Sequence, residues 1–332
     1  MVRRRTIGLI SHEKGNLMSE AFGATSTTDD VLDGVDLDGR RYLVTGSSGG
    51  LGLETCRSLA AHGASVVMLA RDRAKNDRAI ESILAESPNA VLESVECDLS
   101  SLESVRRATT DVLARGGPLH GIVANAGIMA TPFSLTVDGH ESQFAVDHLG
   151  HFLLVRELLP RLAESAPARV VVVSSAGHRM GDVDFDDLDF ERRPYDPFVA
   201  YGAAKTCNVL HAVGIDERWR DRGVRAIAIH PGGIHTELGR YMTPEVVSSL
   251  LSRMDAASEF VWKSIPAGAA TQVWALTSPD LDGRGGIYCE DCQVSPVLSD
   301  DSIGVDGPGV AARAVDSGRA DRLWNLSEKL VG

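Results

Sequence analysis

The stretch Arg41-Tyr42-Leu43-Val44-Thr45-Gly46-Ser47-Ser48-Gly49-Gly50-Leu51-Gly52 decides the fold. Tyr42 to Val44 is a short apolar run, a glycine-rich turn follows at once, and Glu54 to Ala60 resumes in a helical pattern. That order predicts a strand, a tight turn and a helix. Glycines at 46, 50 and 52 allow backbone angles and close approaches that a Cβ forbids, so a pyrophosphate can lie against free amides at the helix start. The spacing is G-x-x-x-G-x-G, not the G-x-G-x-x-G of the commoner dinucleotide turn. The motif therefore needs support from elsewhere in the chain.

Support lies downstream. Near-continuous apolar runs at 65–70, 91–97, 121–124, 169–173 and 224–229 alternate with amphipathic stretches at 73–86, 101–115, 139–163 and 199–221. Such alternation predicts an α/β fold, a doubly wound parallel sheet of Rossmann type covered on both faces, in a single domain. Residues 1–35 are expected to form a partly flexible N-terminal arm, with Met18 as an alternative start, and 36–332 the dinucleotide-binding domain. The segment 241–266 carries Met242, Val246, Val247, Leu250, Leu251, Met254, Phe260 and Trp262. One or two helices are expected there, as a substrate lid beside the crevice or as a packing element.

Composition narrows the function. A chain of 332 residues, 43% hydrophobic and 24% charged, is long enough to bury a sizeable core. A net charge of −13 argues against nucleic acid and anionic membrane surfaces as partners. No run reaches the roughly 18 apolar residues of a membrane span, and Arg3-Arg4-Arg5 precedes too short an apolar run for a signal peptide, so a cytoplasmic location is expected. The five cysteines read as reduced thiols. Cys289-x-x-Cys292 has no second pair to complete a zinc site, and the acidic stretch Gly181 to Phe190 lacks the glycine and terminal glutamate of a calcium loop. No metal is expected.

Three later segments point back at the opening turn: Asn125-Ala126-Gly127, Ser174-Ser175, and Tyr201 with Lys205 four residues on, hence on one helix face. The first two fall at carboxyl ends of strands, where an open α/β sheet places its ligand. An ammonium at Lys205 stabilises phenolate and is expected to lower the Tyr201 pKa from about 10. Tyr201 could then exchange a proton with a carbonyl or alcohol oxygen as hydride moves at the carbon, with Ser175 holding the same oxygen.

Taken together, these segments make the sequence resemble the short-chain dehydrogenase/reductase superfamily, and within it the branch of retinol dehydrogenases and WW-domain oxidoreductases. The resemblance spans roughly Phe22 to Lys329 and includes Asp36 to Arg40, Asn125 to Ala130, His148 to Phe152, His230 to Thr236, Gly268 to Thr271 and Leu323-Trp324. It implies that Gly46, Ser48, Gly50, Leu51 and Gly52 hold the pyrophosphate, that Ser47 also belongs to the cofactor site, and that Asp98 with Leu99 meets the adenine. It further implies that Asn125, Ala126 and Gly127 back the adenosine ribose, that Lys205 also bonds the nicotinamide ribose, and that Pro231, Gly232, Ile234 and Thr236 hold the nicotinamide. Arg71 stands where NAD-preferring members carry an acid, so NADP is the expected cofactor, with NAD as the alternative. The partner is a small-molecule substrate, apolar if Met180, Phe198, Met242, Leu250, Met254 and Phe260 line its pocket.

One position departs from the family pattern. Asparagine usually precedes the His-Leu-Gly-His segment, and this chain has Asp147, whose charge would act on Lys205 and Tyr201. An altered pH profile is expected, and a dinucleotide-binding protein with weakened catalysis is an alternative. A serine hydrolase is another, because Gly46 to Gly50 also spells G-x-S-x-G, with His230 or His235 to nominate beside Ser48. The stripe Phe144, His148, Phe152, Val155 and Leu159 fits core packing. By the resemblance it also fits a homodimer paired through this helix, against a monomer.

Overall fold

The computed structural model of the protein describes residues 22–251, 262–304 and 307–332, with backbone alone at 245 and 249–251. Thr27 caps a short helix, α1 (Thr28–Leu32): its hydroxyl accepts from Asp30 N, and the Asp30 carboxylate accepts from Thr27 N. This reciprocal box satisfies amides that a helix start leaves bare. The chain continues as β1 (Arg41–Thr45), α2 (Gly50–Ala61), β2 (Ser65–Ala70), α3 (Arg73–Glu86), β3 (Leu92–Glu96), α4 (Leu102–Ala114) and β4 (Gly121–Ala124). Then follow α5 (Gly150–Glu164), β5 (Ala168–Val173), α6 (Pro197–Trp219), β6 (Val224–His230), β7 (Gly233–Ile234) and α7 (Pro244–Leu251). The last elements are β8 (Trp262–Lys263), α8 (Ile265–Thr277), β9 (Ile287–Glu290), β10 (Gln293–Val294) and α9 (Ser317–Val331).

Seven parallel strands lie in the order β3-β2-β1-β4-β5-β6-β9, and β10 adds antiparallel to β9 at the edge. Because successive strand residues face opposite sides, Leu43, Val170 and Val172 enter one core with α4, α5, α6 and α9, while Val44, Val171 and Val173 enter the other with α2 and α8. That double coverage is why the strands read as continuous apolar runs. The strand order reverses between β1 and β4, and the crevice at their carboxyl ends is where such a sheet binds ligands.

Several elements depart from the sequence expectation. The segment expected as helix over 139–163 begins as a π-helical turn, Phe144–Leu149, before α5, and the buried Glu141 carboxylate accepts the amides of Gln143 (3.0 Å) and Phe144 (2.8 Å) at its start. Within 241–266 the structure has the helix α7 and the first residues of α8, with Trp262–Lys263 between them as a strand paired with β7; Met254 and Phe260 lie outside the described residues. The acidic stretch is paired with cations: Asp182 with Arg319 and the buried Asp187 with Arg193 (3.6 Å), while Asp186 meets Arg322 (3.0 Å) at the surface.

The apolar stripe running from the π-helical turn into α5 is core. Phe144, His148, Phe152, Val155 and Leu159 are all buried within one chain. Trp324 of α9 meets Phe152 edge-on at 4.9 Å, and His148 Nε2 bonds Ser327 Oγ at 2.9 Å. Within the chain, α9 covers this stripe.

His148 and His211 meet in that core with ring centroids 5.4 Å apart. Burial holds both imidazoles neutral, His148 pushed down to about 3 and His211 well below its usual value. Unfolded imidazoles protonate near pH 6.5. Their contribution to stability is thus complete above that pH and declines as pH falls toward 3, because the unfolded chain takes up protons that the folded chain refuses. Urea unfolding midpoints are expected to drop from about pH 7.5 to 6.5 to 5.5; equal midpoints across that range would contradict the burial of these rings.

Candidate functional site

A cleft of about 2050 Å³ runs across the carboxyl ends of the strands. At one end stands the glycine turn. A Cβ at Gly52 would come within 2.3 Å of the Gly46 carbonyl oxygen, and one at Gly46, where φ is +68°, within 3.0 Å of Ala126 Cα. Only glycine lets the turn fold back on itself and against the end of β4. The first amides of α2 have no helical carbonyl within reach and are left for an anion.

Asn125 braces this turn from the neighbouring strand. Its side-chain amide donates to Thr45 O (2.9 Å), and its backbone amide donates to Thr45 Oγ1 (2.9 Å). His151 stands behind: Nδ1–H donates to Asp147 O (3.1 Å), leaving Nε2 to accept from the Thr45 hydroxyl (2.8 Å). One of the Asn125 amide hydrogens is therefore committed to holding β1 and β4 together. Ser47 needs a correction. It is fully buried, with its hydroxyl on Leu69 O (3.0 Å) and Asn76 Oδ1 (2.8 Å), so its side chain cannot reach a pyrophosphate.

The second cluster is built by β5 and α6. Asp196 caps α6 by accepting the amides of Phe198 and Val199, and Pro197 supplies the fixed φ of a first turn. Ser174 Oγ donates to Lys205 O (2.8 Å) and Asn208 Nδ2 to Val173 O (3.0 Å), which sews the helix to the strand end. Ser175 Oγ accepts from Gly177 N (3.0 Å), and its hydroxyl favours the ionised form of the Tyr201 phenol. Gly177 is obligatory, because a Cβ there would stand 2.7 Å from Tyr201 Cε1. Tyr201, Lys205 and Ser175 all line the cleft.

Lys205 Nζ lies 3.1 Å from Asp147 Oδ2, whose other oxygen accepts Ile128 N at 2.8 Å; both residues are buried. Burial presses the lysine toward its neutral form, but the Asp147 carboxylate and the Tyr201 phenol outweigh it, and its pKa is raised. Burial likewise holds the Asp147 carboxyl above the usual range, despite Lys205. The phenol departs from expectation. Burial raises the Tyr201 pKa, Lys205 only partly offsets this, and Asp147 adds to the rise. Net depression of the phenol by Lys205 is thus absent in this state, because a fully buried hydroxyl resists ionisation more than one already paired ammonium can favour it.

Of the remaining expected residues, Gly46, Ser48, Gly50, Leu51, Arg71, Asp98, Leu99, Ala126, Gly127, Pro231, Gly232, Ile234 and Thr236 line the cleft; Gly52 and Asp147 act behind its wall. Met180, Phe198 and Met242 also face it, whereas the Leu250 side chain lies outside the described residues. The Ser48 rival finds no triad: His230 is taken by Ala176 N (3.3 Å), and His235 stacks on Trp262 at 3.6 Å.

Sequence reasoning missed Lys263, whose stem covers Gly232 and whose ammonium pairs with Asp291 in the β9–β10 turn. Asp291 and Cys292 hold φ of +52° and +55° there, the left-handed pair that a two-residue hairpin requires. It also missed Gly268, where a Cβ would lie 2.5 Å from Ile234 Cγ1 and 2.9 Å from Leu51 Cδ2. The glycine of Gly-Ala-Ala-Thr was a visible signal, but not what it touches.

Comparison with known proteins agrees with this geometry. The family described as short chain dehydrogenase matches residues 40–246. The short-chain dehydrogenase/reductase prx1 of Penicillium roqueforti is 41% identical over 320 residues, covering 93% of this chain and 91% of that protein. The WW domain-containing oxidoreductase of Homo sapiens is 36% identical over 323 residues, 94% of this chain and 73% of that one. An uncharacterised protein of Mycobacterium paratuberculosis has a solved structure that superposes with a TM-score of 0.69 at 33% identity, covering 92% and 97% of the two chains. The chain belongs to the short-chain dehydrogenase/reductase family, in a branch with the WW domain-containing oxidoreductase, and is an oxidoreductase acting on CH–OH groups.

Proposed function

We propose that the protein moves a hydride between NADP(H) and an apolar carbonyl or alcohol, with Tyr201 as the acid/base. The observation that carries this reading is the convergence of Tyr201, Ser175 and Lys205 on a cleft whose far end is the glycine turn. Bound there, the dinucleotide would supply or accept the hydride. The chain's own residues do the rest. The amides at the start of α2 receive the pyrophosphate, Asp98 and Leu99 border the adenine, and Pro231 to Thr236 border the nicotinamide. Ser175 holds the substrate oxygen beside the phenol, which gives it a proton on reduction and takes one on oxidation.

NADP over NAD is supported at the rim. Arg71 is exposed on the cleft edge, and no acid pairs with it among the described residues. Its neighbour Asp72 is turned to cap α3, accepting Lys75 N at 2.9 Å, so it does not offer the carboxylate that an unphosphorylated ribose would prefer. Ile128, Met129, Phe133, Met180 and Phe198 around the Tyr201 end favour an apolar substrate. The cysteines Cys56, Cys97, Cys207, Cys289 and Cys292 are free and buried, which suits a reducing, cytoplasmic setting. Among the described residues no helix is long and apolar enough to cross a membrane.

A second reading, a dinucleotide-binding protein with weakened catalysis, draws on the Asp147–Lys205 ion pair, which occupies the ammonium beside the phenol. NADPH oxidation against aldehydes and ketones of graded size separates the two, since binding without turnover would establish the second.

Under the first reading, Tyr201→Phe is expected to lower kcat/KM at least about hundredfold, and full activity in that variant would overturn the mechanism. Arg71→Ala should raise the KM for NADPH about tenfold, the scale of one charged hydrogen bond, and leave NADH unaffected; equal effects on both would remove the 2′-phosphate role. In Asp147→Asn the charge that raises the phenol's pKa is gone, so the ascending limb of the alcohol-oxidation profile, where the phenol loses its proton, should move to lower pH. A superimposable pH profile would show that this carboxylate does not act on Tyr201.

A further inference from the structure

The Lys75 ammonium, in the first turn of α3, forms an ion pair of 2.6 Å with Glu237, which follows Thr236 after β7. The two residues are 162 positions apart and line the same cleft as Gly49 and Gly50. Lys75 Nζ lies 3.9 Å from where a Cβ on Gly49 would stand, and the Thr236 methyl lies 3.4 Å from the corresponding point on Gly50. One wall of the pyrophosphate turn is thus flanked by α3 and the other by the segment after β7, and this ion pair joins them.

The two ends of that segment are held differently. Its root is fixed: Gly233 and Ile234 pair with Trp262 and Lys263, His235 stacks on Trp262, and Ile234 packs into the space left by Gly268. Its tip is not. Glu237 has a side chain 79% exposed, and Lys75 is its salt-bridge partner. An exposed ion pair is weak in isolation. Its position gives it leverage, because parting the walls above the turn requires breaking it.

We propose that the Lys75–Glu237 pair is a latch across the mouth of the dinucleotide groove, and that Glu237, acting through Lys75, is a positioning residue that sets how long the cofactor stays bound. This rests on the dinucleotide reading above. The test is stopped-flow displacement of NADPH by excess NADP⁺, followed by nicotinamide fluorescence, in the parent, Glu237→Gln, Lys75→Met, the double variant and the charge swap Lys75→Glu with Glu237→Lys. Each single variant should release NADPH about two- to fivefold faster, the range open to an exposed pair. The double variant should be no faster than the singles, the swap should recover most of the parent's rate, and the differences should shrink at about 0.5 M salt. If Glu237→Gln releases NADPH at the parent's rate while Lys75→Met is faster, Lys75 merely holds the cofactor and the latch is wrong. Failure of the parent to bind either NADPH or NADH saturably would instead remove the dinucleotide reading, and the latch with it.

Discussion

A glycine hydrogen facing a glycine carbonyl is the contact on which this site depends. With Gly46 O lying where a Cβ of Gly52 would be only 2.3 Å away, the turn after β1 can close so that the first amides of α2 converge on the crevice. The same closeness brings Gly46 against Ala126, and Asn125 fixes the distance by donating to the Thr45 carbonyl. The end of β1, the end of β4 and the start of α2 are therefore one unit. Because the strand order reverses between β1 and β4, that unit borders the opening into which the Ser175, Tyr201 and Lys205 cluster of β5 and α6 also faces.

The electrostatics of that cluster are set by burial before they are set by any pair. Tyr201, Lys205 and Asp147 are all withdrawn from water, and each neutral form gains from it. The lysine keeps its charge because a carboxylate stands 3.1 Å away, whereas the phenol has only the shared influence of that lysine and the Ser175 hydroxyl. A neutral amide at position 147 would leave Lys205 to act on Tyr201 alone. The carboxylate divides the lysine's attention, and the protonated phenol is favoured.

The walls of the cleft are held by contacts far apart in the chain. Gly268 admits Ile234 and Leu51 together, Lys263 lies over Gly232, and Lys75 reaches Glu237. On the opposite side of the sheet, α9 lays Trp324 and Ser327 onto Phe152 and His148, so a stripe that resembles an interface in the sequence belongs to the interior of a single chain.

The sequence by itself determined the parallel sheet, the glycine turn and the Tyr201 to Lys205 face, because apolar runs, glycine spacing and a four-residue helical step are local and periodic. The capping box of α1 and the apolar face of α9 were equally local and could have been read. Tertiary structure alone decided the rest. That Ser47 turns inward, that Asn125 commits an amide hydrogen to Thr45, that Asp147 takes the ammonium of Lys205 and that burial outweighs that ammonium at Tyr201 are outcomes of packing between distant segments. A residue's type fixes which bonds it is able to make; its neighbours in space, and the water they exclude, fix which of them it makes and at what proton affinity.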